Sequence, residues 1–298
     1  MLSIGAKSCI SSIENPASSI ETTVRILFIG DIVGKPGREI VQRSVAGLVR
    51  EEQLDLVIAN AENAAGGSGI TPAIYRELVR ASVDGITLGD HVYRRREIYS
   101  VLEAETNIVK PANLPAESVG RNWAVVTARN GERVGFLCLL GQLFMKPMDS
   151  PWHTADRVLA EIPADVRIRL VDFHAEATSE MQLMGRHLDG RVSAVLGTHT
   201  HVPTADECVL PGGTAFQCDV GMTGPHESII GRRIDRVLET TLTGLPTEFD
   251  VATGDVRLNG SIVDVDPETG RATSIRRICV TEADLPRLEA AAAAAAAT

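Results

Sequence analysis

Side chains able to bind metals or transfer protons follow the ends of five short apolar segments with the character of strands. The segments are "VRILFIG", "LDLVIANA", "DGITLG", "RLVDF" and "AVLGT". In parallel α/β sheets the carboxyl ends of the strands share one edge, where ligands bind. The sequence therefore predicts that the polar side chains beyond these ends converge on one site. They are Asp31, Glu62, Asn63, Asp90, His91, His174, His199 and His201.

Each of these residues alone has a simpler interpretation. Asp31 could form a turn or cap a helix, Glu62 could be ordinary loop polarity, and His174 could be a histidine of the core. The string "THTH" is more specific, because His199 and His201 are two positions apart and face the same side of an extended chain. Together, five strand ends with ligand-type side chains favour a metal site.

Carboxylate, amide and imidazole groups in one cluster suit manganese, iron or zinc. Apart from His91 the set offers more ligands than one tetrahedral zinc accepts. Two ions about 3.5–4 Å apart, bridged by one carboxylate, would use them all, clamp a phosphate and lower the pKa of a bridging water. Rival motifs are missing from the sequence: "GDIVGKPG" has the wrong spacing for a P-loop, and no G-x-S-x-G occurs.

The elements that must position these groups alternate between strand and helix. Strands at 24–31, 54–63 and 84–90, separated by helices at 36–52 and 71–82, predict a parallel, right-handed α/β unit. Thr71 and Pro72 suit the cap and first turn of the second helix. Further predicted strands are 124–129, 133–140, 167–173, 192–197 and one in "TAFQCDVGMTG". Further predicted helices are 153–162, one between the strands at 167–173 and 192–197, and 232–242. Alternating residues over 248–280 predict antiparallel β-structure.

Composition limits the class of protein. The net charge of −10 over 298 residues argues against a broad nucleic-acid or anionic-membrane surface. Five cysteines, an odd number without a C-x-x-C pair, predict reduced thiols and a cytoplasmic protein. No apolar run is long enough for a membrane span. We expect a disordered extension at 1–23, one domain at 24–281 and a partly helical, fraying Ala-rich tail at 282–298.

Seven ordered strings resemble the YmdB-like phosphodiesterase branch of the calcineurin-like metallophosphoesterases. They are "ILFIGDIVGKPGR", "ANAENAAGGSGIT", "ITLGDH", "KPAN", "DFHAEATSEM", "GTHTHVPTAD" and "DVGMTGP", and the resemblance covers about residues 24–280. It implies a single-domain α/β fold, a four-layer α-β-β-α sandwich with two mixed β-sheets. It also implies two divalent ions, with iron or manganese favoured and zinc an alternative. The implied substrates are cyclic nucleotides such as 2′,3′-cAMP or other small phosphodiesters, and the implied assembly is a homo-oligomer.

The same resemblance assigns roles within the predicted site. One ion would be held by Asp31, Glu62, Asn63 and His201. The other would be held by Glu62, Asp90, His174 and His199, so that Glu62 bridges the two. His91 would be the general acid, a role that suits a group titrating near neutrality. Substrate-binding residues stay unassigned: Arg38, Lys110 and Asn113 are candidates, but a solvated surface position is favoured for Arg38 and Lys110.

Asp90 departs from the family pattern, which has asparagine at this position. The aspartate still offers an oxygen, but it raises the ligand charge from about −2 to about −3 against about +4 for two divalent ions. We therefore expect tighter metal binding, weaker attraction of an anionic phosphate and a less acidic bridging water. Two alternatives to a diesterase stay open: hydrolysis of nucleotides or phosphomonoesters, and a metal-bound regulatory protein with little turnover. The intact His91 favours turnover.

Overall fold

The computed structural model describes residues 23–296, so that Cys9 and the extension predicted to be disordered, apart from Thr23, lie outside the described residues. The strands are β1 (Val24–Ile29), β2 (Leu56–Asn60), β3 (Gly85–Thr87), β4 (Ile108–Val109), β5 (Trp123–Thr127), β6 (Arg133–Leu140), β7 (Ile168–His174), β8 (Ala194–Thr198), β9 (Cys208–Val209), β10 (Ala215–Gln217), β11 (Gly224–Pro225), β12 (Val256–Val265) and β13 (Ala272–Thr281). The α-helices are α1 (Gly34–Glu51), α2 (Pro72–Arg80), α3 (Tyr99–Ala104), α4 (Pro151–Glu161), α5 (Thr178–Leu188), α6 (Ile234–Thr243) and α7 (Leu285–Ala296).

Two mixed β-sheets form the centre of the fold. The first has the order β11-β12-β1-β2-β3-β4, with β13 paired to β12. Strands β1 to β4 are parallel, and β11, β12 and β13 pair antiparallel. The second sheet has the order β5-β6-β7-β8-β10-β9, in which β6, β7, β8 and β10 are parallel. Both sheets therefore contain a parallel part; the first has antiparallel strands on one side only, and the second has an antiparallel strand at each edge.

Alternation of side chains along the strands produces the layers. On β1, Ile26 and Phe28 pack in an apolar cluster shared by the two sheets, whereas Leu27 and Ile29 pack in a cluster shared with α1 and α2. On β7, Leu170 belongs to the layer between the sheets, and Phe173 packs with α4 and α5. This period of two gives the four-layer α-β-β-α sandwich with two mixed sheets, as predicted.

Most predicted elements are confirmed, including the parallel β1-α1-β2-α2-β3 unit and the cap of α2, where Ile74 donates its N–H to Thr71 Oγ1. The prediction of β-structure at 248–255 is wrong. Apart from an isolated bridge at Val251, this segment follows α6 as a loop. The strand predicted in "TAFQCDVGMTG" covers only Ala215–Gln217, because the chain then turns away to enter the edge where the polar groups meet.

The two last helices differ in how they pack. Leu285 and Leu288 of α7 are buried against α1, where Gly47 allows the close approach of the Leu288 backbone. No residue of α6 is buried. Within residues 23–296, the helices are all too short or too polar to cross a membrane.

Candidate metal centre

The predicted site residues meet at the carboxyl ends of β1, β2, β3, β7 and β8. Residues at alternate positions of these strands face the layer between the sheets. Ile58 and Leu170 make apolar contacts in this layer, and Glu62 and His174 lie on the same face further along the chain. Glu62 and His174 are buried, with 1% and 0% of their surface exposed. The apolar layer therefore ends in a cluster of ionisable groups that is largely shielded from solvent.

Four of the predicted residues form one compact group. Ligand atoms of Glu62, Asp90, His174 and His199 all lie within 4.8 Å of one another. His174 Nε2 is 3.0 Å from His199 Nδ1 and 3.3 Å from Glu62 Oε1. Asp90 Oδ1 lies 3.4 Å from His174 Nε2, and it is a buried oxygen without a hydrogen-bond partner among the described residues. Two carboxylates and two imidazoles at this spacing fit a divalent cation.

The other three predicted ligands, Asp31, Asn63 and His201, form a second group beside Glu62. The Asn63 Nδ2 group is 3.2 Å from both Glu62 Oε1 and His201 Nε2, and 3.5 Å from Asp31 Oδ1. His201 Nε2 is 3.8 Å from Asp31 Oδ1. Glu62 Oε1 thus contacts both groups, as does Asp31, whose Oδ2 accepts the backbone N–H of His199 at 3.0 Å.

Outer hydrogen bonds fix which ring nitrogen of each histidine faces the cluster. His201 Nδ1 donates to the Ile230 carbonyl at 2.9 Å, which leaves Nε2 as the inner nitrogen. His199 has the opposite orientation, because its Nε2 lies 3.2 Å from Glu176 Oε2 and its Nδ1 faces His174. A carboxylate or carbonyl behind the ring is the usual support of a metal-ligating histidine. Glu176 was not predicted, although its position two residues after His174 was a usable signal.

The segment from His199 to His201 is not extended, so the argument that they face one side of a strand is wrong. Strand β8 ends at Thr198, and His199 and His201 have φ values of 105° and 66°, in the left-handed region. Thr200 between them donates its N–H and its hydroxyl to Asp219 Oδ2, at 2.9 and 2.8 Å. Burial, together with Asp31, raises the pKa of Asp219 to about 8. Such strained turns concentrate at functional sites. Asp219 was not predicted to belong to the site, because it lies far from the two histidines in the sequence.

His91 lies at the rim of the cluster. Its backbone N–H donates to Glu62 Oε2 at 2.8 Å, and its Nδ1 is 2.7 Å from Asn63 Oδ1. The amide oxygen can only accept, so Nδ1 carries a proton and donates. The Nε2 atom, 3.8 Å from Asp90 Oδ2, is the nitrogen left for a substrate.

Opposite charges balance inside the cluster. Burial by itself would raise the pKa of Glu62, but the neighbouring His174 outweighs this and the pKa is lowered. Burial would likewise lower the pKa of His174, yet Glu62 and Asp90 hold it well above its usual range. The cluster therefore has strong internal attraction between acids and imidazoles, which a cation could replace.

A family model described as a YmdB-like protein matches residues 27–278. The chain belongs to the YmdB-like family. It is 42% identical over 259 residues to a 2′,3′-cyclic-nucleotide 2′-phosphodiesterase of Bacillus subtilis (strain 168), covering 87% of this chain and 98% of that protein. A crystal structure of a hypothetical protein from Thermus thermophilus has a TM-score of 0.81 and 43% identity over 87% of this chain and 100% of that chain. A novel phosphatase from Mycoplasma pneumoniae has a TM-score of 0.82 and 31% identity, covering 88% and 95%.

In this YmdB-like chain, the candidates for substrate contact have structural partners. Arg38 Nε lies 3.0 Å from Glu77 Oε1, and its side chain is 17% exposed. Asn113 is buried and joins two loops, since it donates to the carbonyls of Leu140 and Asp149 at 2.9 and 3.1 Å.

The solvated position favoured for Arg38 and Lys110 is wrong. Lys110 is only 2% exposed, because it directly follows β4, a strand whose two residues are both buried. Its Nζ donates to Asn122 Oδ1 at 2.7 Å, and burial lowers its pKa to about 8.

Proposed function

We propose that this YmdB-like protein is a metal-dependent phosphodiesterase that hydrolyses cyclic nucleotides, such as 2′,3′-cAMP, or other small phosphodiesters with a metal-activated water. The observation that carries the proposal is the group of Glu62, Asp90, His174 and His199, whose ligand atoms lie within 4.8 Å of one another. The substrate class is supported by the name of the Bacillus subtilis relative. Two carboxylates and two imidazoles at the edge of a sheet are the donors of a hydrolytic metal site.

The proposed centre holds two divalent ions. Asp31, Glu62, Asn63 and His201 would hold one, with Asn63 binding through the lone pair of Oδ1 that His91 does not use, and Glu62, Asp90, His174 and His199 would hold the other. Bound there, the ions would supply Lewis acidity toward phosphate oxygens and lower the pKa of a water. The contacts of Glu62 with both groups support its role as the bridge. Mixed oxygen and nitrogen donors favour iron or manganese, with zinc as the alternative.

The proposed acid is His91. Its Nδ1–H is held by Asn63 Oδ1 at 2.7 Å, so the ring presents Nε2 toward the open side of the cluster. In the imidazolium form, which carries a second proton on Nε2, His91 would give that proton to the leaving alkoxide of the diester and keep the one on Nδ1; a positioned acid contributes about 10²–10⁴-fold in such a step. The hydrogen bond from the His91 backbone N–H to Glu62 keeps the ring next to the proposed bridge.

Two further properties belong to the proposal. Cys138, Cys208, Cys218 and Cys279 have free thiols, which supports a reducing, cytoplasmic compartment. A homo-oligomer is supported by α6, on which Ile234, Leu238 and Leu242 are exposed at intervals of four residues, Leu242 to 79%. Light scattering of the purified chain tests the assembly, and a monomer at working concentration contradicts it.

A substrate panel tests the function. Metal-dependent hydrolysis of bis-p-nitrophenyl phosphate and 2′,3′-cAMP is expected, with little activity on p-nitrophenyl phosphate. Preferred hydrolysis of the monoester would instead indicate a phosphomonoesterase, and no turnover of any of the three would indicate a binding or regulatory protein. His91→Ala is expected to lower kcat on the diesters by about 10²–10⁴-fold and to retain metal. Loss of metal from this variant would mean that His91 is a ligand.

A further inference from the structure

A buried carboxylate that is not among the proposed ligands lies directly behind the candidate metal centre. Asp172, 1% exposed, is in the layer between the sheets, two residues before His174 on β7. Its Oδ1 accepts from Thr198 Oγ1 at 2.7 Å, and its Oδ2 accepts from Thr87 Oγ1 at 2.6 Å and Asn60 Nδ2 at 3.0 Å. All three donors are uncharged and come from strands β8, β3 and β2. One carboxylate thus connects both sheets at the level of the site.

The first arm of this network determines the orientation of His174. The Thr198 hydroxyl has one hydrogen, which it donates to Asp172, so it can only accept from His174 Nδ1, 2.8 Å away. In its neutral form, the one that binds a metal, His174 is therefore protonated at Nδ1, and the lone pair of Nε2 faces Glu62 and His199. A hydroxyl without an acid behind it can turn and donate to Nδ1. That reversal would place the proton on Nε2, where it blocks metal binding.

The second arm reaches Glu62. Asn60 donates through Nδ2 to Asp172, which orients its amide so that Oδ1 accepts the backbone N–H of Glu62 at 3.1 Å. Asp172 therefore supports both the buried histidine and the proposed bridging acid. Neighbouring positions on the same face of β7 are apolar, Ile168 and Leu170, so packing alone does not require an acid. Burying a carboxylate whose direct hydrogen-bond donors are all uncharged is costly, which indicates a role beyond packing.

We propose that Asp172 is a positioning residue of the metal centre: through Thr198 it fixes His174 in the Nδ1–H tautomer, and through Asn60 it holds the backbone of Glu62. The inference rests on the proposed function, because it presupposes that the centre binds metal. It assigns Asp172 no contact with substrate. Removal of such an outer partner typically weakens metal binding about 10–100-fold.

The test compares two isosteric changes of buried threonines. Thr198→Val removes the hydroxyl between Asp172 and His174. Thr214→Val is the matched control, because Thr214 is equally buried and donates to the Val192 carbonyl at 2.7 Å, outside the site. The dissociation constant for Mn²⁺ is measured by competition with a chelator, and the thermal midpoint of each metal-free variant is recorded. Thr198→Val is expected to weaken Mn²⁺ binding about 10–100-fold, while Thr214→Val binds as the wild type does.

Two more variants separate orientation from folding. Thr198→Ser keeps the hydroxyl and is expected to retain the wild-type constant within about threefold, as a conserved hydrogen bond implies. Asp172→Asn keeps the size but can donate to Thr198, so it is expected to weaken Mn²⁺ binding like Thr198→Val. Wild-type Mn²⁺ affinity in both Thr198→Val and Asp172→Asn overturns the inference. A wild-type protein that binds no Mn²⁺, Fe²⁺ or Zn²⁺ overturns the proposed function instead.

Discussion

Gly89 lies beside Glu62 and His174 of the candidate centre, and its lack of a side chain leaves room for both. It follows β3 and precedes Asp90. A methyl carbon built on Gly89 lies 2.5 Å from His174 Cδ2 and nearer still to His174 Nε2 and Glu62 Oε2. Gly89→Ala therefore places a methyl group between two proposed ligands. Neither can retreat freely, because both are buried, Glu62 Oε2 accepts the backbone N–H of His91, and His174 Nδ1 is hydrogen-bonded to Thr198 Oγ1.

The size of the effect follows from the distances. Carbon atoms pack at about 3.5–4.0 Å, so the methyl carbon and His174 Cδ2 must move apart by about 1 Å. Metal sites tolerate distance changes of about 0.2 Å. Shifting the Gly89 backbone instead moves Asp90, a third proposed ligand. We therefore expect Gly89→Ala to weaken metal binding by at least the roughly 10–100-fold seen when only an outer partner is lost, and to lower diesterase activity with it.

Metal content after equilibrium dialysis at graded Mn²⁺ concentrations measures this effect. Gly85→Ala is the control on the same strand, because its methyl carbon would lie 2.9 Å from Phe136 Cζ, in the core and away from the ligands. The control is expected to lose about 1–3 kcal/mol of unfolding free energy and to keep its metal affinity. If Gly89→Ala binds Mn²⁺ as tightly as Gly85→Ala does, the proposed ligand set is refuted.

Two other predictions concern charge. Asp90→Asn removes one negative charge from the ligands, so it should keep metal and raise kcat on diesters several-fold, since the phosphate anion is repelled less. Metal analysis and steady-state kinetics check this. A metal-free variant would refute the expected effect of charge. Lys110 has its pKa lowered by burial from 10.5 to about 8, so the unfolded chain binds more protons than the native one between these values, and stability rises with pH across that window by about 3 kcal/mol. Lys110→Met lacks this gain, so in urea unfolding the stability of the wild type minus that of the variant should increase by about 3 kcal/mol from pH 7.5 to pH 10.5; a constant difference would contradict it.

The parallel halves of the fold were accessible from sequence because local patterns specify them. Apolar runs of strand length alternate with amphipathic helices, and Thr71 with Pro72 begins α2 as a local signal predicts. The short strands β4, β9 and β11 have two residues each, too few for a periodic pattern. They exist because neighbouring strands offer free hydrogen-bonding edges. The segment 248–255 has an alternating pattern but no strand beside it to pair with over that length.

The sequence by itself determined which residue types reach the edge of the sheets. A strand of known length with a polar residue after it places that residue at the carboxyl end, whatever the rest of the chain does. It also determined that an acid, Asp90, stands where the family pattern has an amide. Both are properties of short stretches of chain.

Only the tertiary structure decided how those groups face each other. His199 presents Nδ1 and His201 presents Nε2 because their outer nitrogens meet Glu176 and the Ile230 carbonyl, which lie far from them in the sequence. Asp172 supports His174 through Thr198 on another strand. Hydrogen bonds of this kind depend on the directions of side chains that only packing brings together.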